Sequence, residues 1–137
     1  MGNWREELID VVKSQAEREA EEEARKAKRL AEALKVAEEA LQKATDGLRF
    51  TNEQLKSKSQ PAKLEEKSDD ISLMMNDLSL SVGLSRSDAV LKVVFNEGRP
   101  REFDFAKDRH LSAKDVEEYV GRRAVEFARA AQKSNPW

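Results

Sequence analysis

The sequence predicts an α+β protein. It has a long charged N-terminal helix of coiled-coil character, a flexible polar linker, and a small C-terminal antiparallel β-meander or hairpin packed by one helix. Three observations carry this. Residues 4–48 contain no proline and one glycine, Gly47, and are dominated by Ala, Glu, Lys, Arg and Leu, the strongest helix formers. Residues 56–70 are mostly Lys, Ser, Gln, Glu and Asp around Pro61, too polar to bury anything. Beyond them, short stretches of alternating hydrophobicity precede a segment with an apolar stripe at helical spacing. The domain boundaries read from this are 1–50, 51–70 and 71–137.

The first helix is expected to start at Asn3 or Trp4, with Glu6, Glu7 and Asp10 near its positive end. Trp4, Leu8, Val11 and Val12 form an apolar patch at this tip, a candidate anchor for a protein partner. Leu8, Val12, Ala16, Ala20 and Ala24 then step by four, a spacing that drifts around a straight helix. Leu30, Leu34, Ala37, Leu41, Ala44 and Leu48 alternate steps of four and three, the seam of a coiled coil. Leu30, Leu34 and Leu41 are therefore expected to face a second copy. Glu21 with Arg25, Glu22 with Lys26 and Glu39 with Lys43 add pairs one helical turn apart.

Thr45-Asp46-Gly47 reads as a helix stop, and Thr51 with Gln54 as the cap of a short second piece, the alternative being one helix that runs through Gly47 to about Lys58 at a modest cost in stability. Ile71, Met74, Met75 and Leu78 fit one helical face, so a helical turn is expected to feed the first strand. Strands are predicted at about 78–84, 89–95 and 101–106. The turn Asn96-Glu97-Gly98-Arg99-Pro100 separates the last two, with Gly98 expected at positive φ. Ser112 and Asp115 have the spacing of a capping box for a helix over about 113–132, whose Val116, Val120, Ala124, Phe127 and Ala131 form its apolar stripe.

Charged residues make up 38% of the chain, aromatics 6%, and the formal net charge is −2. That balance gives no global attraction to nucleic acid or to an anionic membrane. The chain contains no cysteine, which removes disulfides, thiolate metal sites and cysteine nucleophiles and fits a cytoplasmic setting. No apolar run approaches a membrane span. His110 is the single histidine, with Asp104 and Asp108 nearby, but the spacing matches neither a catalytic relay nor a metal site. There is no glycine-rich phosphate loop or paired-carboxylate motif. No catalytic, metal or cofactor-binding residue is therefore assigned, and no cofactor is expected.

Arg99, Arg101, Arg122 and Arg123 are candidate phosphate contacts. Gly98-Arg99-Pro100 with Arg101 resembles the core of an AT-hook, although Glu97 stands where that motif carries a base. Two functional readings follow. In the first, the protein is a non-enzymatic, self-associating coiled-coil adaptor or scaffold whose C-terminal domain binds another protein. In the alternative, a dimerising coiled coil carries a basic surface that regulates at nucleic acid.

Overall fold

The structure is a computed structural model and describes residues 3–137. It is an α+β arrangement of two layers. Helix α1 spans Trp4–Ser57, strands β1 Lys63–Lys67, β2 Asp70–Met75, β3 Leu78–Ser85, β4 Val90–Phe95 and β5 Arg101–Asp104 follow, and helix α2 Ala113–Ser134 closes the chain. The strands form one antiparallel meander in the order β1-β2-β3-β4-β5.

Alternation fixes which sheet face is buried. Ile71, Leu73 and Met75 of β2, Leu80, Val82 and Leu84 of β3, Leu91 and Val93 of β4 and Phe103 of β5 point to one side. The register sets Ile71 against Val82, Val82 against Val93 and Leu91 against Phe103, so these side chains stack in rows across the strands. The other face carries Ser72, Ser79, Ser81, Lys92 and Glu102 and is left to solvent. Both helices lie on the apolar side. Helix α2 buries Val116, Val120, Ala124, Phe127 and Ala131, the stripe read from its sequence. Its capping box is closed, with Asp115 N donating to Ser112 Oγ at 3.4 Å and Ser112 N donating to Asp115 Oδ2 at 2.9 Å.

Four local expectations are corrected. Helix α1 does not stop near Gly47 but continues to Ser57. Buried Leu48, Asn52 and Leu55 hold the extra turns against the body, and tertiary packing outweighs the weak helix propensity of one glycine. The segment expected to be a linker ends in a strand, β1, whose Leu64 turns toward the core while Lys63, Glu65, Glu66 and Lys67 stay exposed. Charged residues suit an edge strand because they discourage pairing with another sheet. Residues 71–75 are strand rather than helical turn, since Ile71, Leu73 and Met75 also satisfy a period of two. In the turn after β4, Asn96 takes the left-handed conformation at φ 54°. Gly98 instead answers a close approach, because a Cβ there would stand 3.1 Å from the Phe95 carbonyl oxygen.

The boundary between helix and domain also shifts. Ala33, Ala37, Ala40, Ala44, Leu48 and Leu55 of α1 belong to the same buried cluster as the sheet and α2. The heptad seam is thus spent inside the molecule. Its alanines let α1 lie close to the body, and Leu30, Leu34 and Leu41 pack half-buried against the core. Arg86 ties the layers together, donating from Nη1 to Glu38 Oε1 at 2.7 Å and from Nε to Asp69 Oδ1 at 2.8 Å.

Candidate protein-interaction surfaces

Among the described residues, two helical surfaces expose apolar side chains without a covering element. The first is the front of α1. From Asn3 to Arg29 every residue except Ser14 is exposed, so roughly 40 Å of helix projects beyond the body at about 1.5 Å per residue. Asn3 caps it, its Oδ1 accepting from Arg5 N at 2.7 Å. Near the tip Trp4, Leu8, Val11 and Val12 are 68%, 53%, 62% and 57% exposed, and Ile9 joins them. These four sequence-predicted residues are thus brought together on free helix, whereas Leu30, Leu34 and Leu41 lie at the body. Glu21 and Arg25 form the expected pair at 3.5 Å. Lys43 instead reaches Glu117 of α2 at 3.6 Å.

The second surface was not legible as a site in the sequence. Helices α1 and α2 run in the same general direction, with Lys43 beside Glu117 near one end and Asn135 Nδ2 donating to Gln60 Oε1 at the other. On their outer side they leave an apolar groove of about 900 Å³. Gly47, Phe50, Thr51 and Gln54 line it from α1, and Val120, Gly121, Ala124, Val125 and Ala128 from α2. Phe50 and Val125 are both largely exposed on its walls. Lys43, Asp46, Lys114, Glu117 and Glu118 also line it and give it charges of both signs.

The glycines are informative because both lie inside helices, where glycine costs about 1 kcal/mol relative to alanine. Neither is required for close packing: a Cβ at Gly47 or Gly121 would meet no atom within 4 Å. The signal that marks this groove is a pair of helix-interior glycines with apolar residues lying off the buried stripe. It becomes readable only once α1 and α2 are known to be neighbours.

The arginine candidates lie at the β5–α2 end. The Arg101 guanidinium sits 5.0 Å from the Phe103 ring centroid and that of Arg123 4.9 Å from the Tyr119 ring. The two rings meet edge to face at 5.5 Å, so a pair of rings bridging β5 and α2 carries a guanidinium on each end. Arg123 also donates to Glu126 at 2.7 Å. Arg122 and Arg101 border one shallow pocket with His110, but Asp108, Asp115 and Glu118 line it too, so no segregated basic face forms there. Arg99 is exposed in the turn.

Asp104 and Asp108 shape their own loop, Oδ1 of the first accepting from Lys107 N and of the second from His110 N. Among the described residues no group of three or more His, Cys, Asp or Glu side chains converges as a metal site. No helix among them is long and apolar enough to cross a membrane. Comparison with protein-family models, with curated proteins and with solved structures finds no match to this chain.

Proposed function

We propose that the protein is a non-enzymatic adaptor or scaffold, in which the α1–α2 groove holds an apolar helical segment of a protein partner and the projecting front of α1 mediates self-association. The carrying observation is the pair of helix-interior glycines, Gly47 and Gly121, that face one apolar groove with free space over both. Departures from local propensity without a packing reason concentrate at functional sites. Here the missing side chains leave room between Phe50 and Val125 for another chain to approach closely. A helix fits best, since the groove follows α1 and α2 for several turns and its apolar floor carries charges of both signs at the margins. The cysteine-free chain suits this role in a reducing cytoplasm.

Side-chain volume at the glycines separates folding from binding. Gly47→Ala and Gly121→Ala are each expected to stabilise the fold by about 0.5–1 kcal/mol, measured by urea denaturation. Gly121→Leu is expected to keep the fold while filling the groove. Affinity capture from the native host with wild type and Gly121→Leu side by side tests the reading. A protein held by wild type and lost by the variant supports it. The same captured set from both would overturn it, as would destabilisation by the alanine substitutions, which would give the glycines a structural reason.

A further inference from the structure

We infer that the front of α1 pairs with the same segment of a second copy in antiparallel orientation, about a two-fold axis passing between Glu23 and Ala24. The inference rests on the self-association reading above and specifies its surface, orientation and register.

Charge along the projecting helix favours this pairing. Residues 17–23 contain five glutamates and one arginine, a net charge of −4, while residues 25–29 contain four bases and no acid, a net charge of +4. Within one helix this blocking is unfavourable in places. Glu17 and Glu21, Glu19 and Glu23, and Arg25 and Arg29 are like charges one turn apart, which repel. A parallel partner in register would set each block against itself. An antiparallel partner turned about the Glu23–Ala24 midpoint sets each acidic block against a basic one, twice over. Glu19 then lies within a turn of Lys26 of the second copy on one flank of the contact, and Glu21 within a turn of its Lys28 on the other. Since the chain carries both halves of the complementary pair on one exposed helix, a second copy supplies the matching charge on both sides of the axis.

The shape of the helix favours the same register. Ala16, Ala20, Ala24, Ala27 and Ala31 are all exposed and form a narrow ridge of small side chains on the projecting helix. At 3.6 residues per turn this ridge lies roughly 130° around the helix from the buried stripe of Ala33, Ala37, Ala40 and Ala44, so the body does not occupy it. The register chosen by charge also aligns the ridge, setting Ala16 level with Ala31 and Ala20 level with Ala27. Small residues on both helices allow close approach, and the long charged side chains reach across the flanks. Each tip is thereby carried to the start of the other copy's body.

The absence of native cysteine makes the orientation directly measurable. Ala16→Cys and Ala31→Cys proteins are prepared separately, checked by sedimentation against wild type, and oxidised alone and as an equal mixture. The expected result is a concentration-dependent dimer in all three proteins, a disulfide between the two variants in the mixture, and none within either variant alone. Ala16→Cys linking to itself would indicate parallel helices, overturning this inference while leaving self-association intact. A dimer with no cross-link in the mixture would overturn the register. A monomer at every concentration would overturn both the inference and the self-association reading.

Charge reversal gives a separate readout of the pairing. The double variant Glu19→Lys, Glu21→Lys is expected to self-associate more weakly by about tenfold or more, a change of about 1.4 kcal/mol. It should pair again when mixed with the double variant Lys26→Glu, Lys28→Glu. Self-association at wild-type strength by the lysine variant alone would overturn the assigned charge pairing.

Discussion

Arg49 on α1 donates from Nη2 to Glu66 Oε2 on β1 at 2.9 Å, and its Nε donates to the second carboxylate oxygen. This two-pronged contact joins the last third of α1 to the edge of the sheet, where little apolar area is available to do so. The hydrogen bonds from Arg49, aided by its charge, hold the Glu66 carboxyl below its ordinary value of 4.5, and the same pairing raises the Arg49 guanidinium. A carboxyl whose pKa is lower in the folded state contributes stability above the unfolded value and loses it as pH falls through the folded value. Wild type should therefore melt above Glu66→Gln at pH 7, with the gap narrowing once the pH drops below 4.5 and closing when the carboxyl is protonated. Both side chains are well exposed, so the gap at pH 7 should also shrink in high salt. A gap that persists unchanged at acid pH would assign the effect of the substitution to something other than this ion pair.

At the scale of the element, α1 carries two different structures in one unbroken helix. Its rear half is a core helix whose contact stripe is largely alanine: Ala37 and Ala40 are fully buried where the helix lies close to its neighbours. Enlarging one of them tests that closeness. Ala40→Leu should destabilise by about 1–3 kcal/mol through overpacking, measured as a lowered urea midpoint. A neutral result would mean that α1 can move away from the body without penalty. The helix was legible in the sequence because composition and spacing agreed over many turns, and α2 because a capping box and an apolar stripe agreed at one place. The heptad from Leu30 to Leu48 was legible as a buried seam but not as to what buries it, since a sheet and a second helix in the same chain ask for the same spacing as another copy. Strand β1 stayed hidden because Leu64 is its single core-facing hydrophobic, and an edge strand written in Lys and Glu has the composition of a linker. Phe50, Val125 and Gly121 look ordinary on their own helices and Gly47 reads as a helix stop, so their shared meaning comes only from the pairing of α1 with α2.

The whole molecule is lopsided, a two-layer body with a helix extended far beyond it, and this asymmetry determines how each part is stabilised. An isolated helix of that length and charge would be marginal in water because the first turn is costly to nucleate. Here the body supplies the nucleus. Once residues 30–57 are fixed, each further turn toward Trp4 adds hydrogen bonds without a new nucleation step, so the projection persists with no tertiary contact of its own. The body in turn gains little from the projection. Removing residues 1–28 should leave its stability within about 0.5 kcal/mol of the full chain under dilute conditions, while the helical circular-dichroism signal falls in proportion to the residues lost. A markedly lower melting temperature would reveal a dependence on the front of α1 that its exposure does not suggest. Hydrogen exchange on the intact chain gives the complementary view. In the monomer, protection should decline steadily from the body toward Trp4, because a helix propagated from one end frays from the other. If copies pair about the Glu23–Ala24 axis, raising the concentration should protect residues 16–31 first and leave the exchange of the central strands unchanged. Protection that rises equally throughout the molecule would instead place the contact between copies on the body.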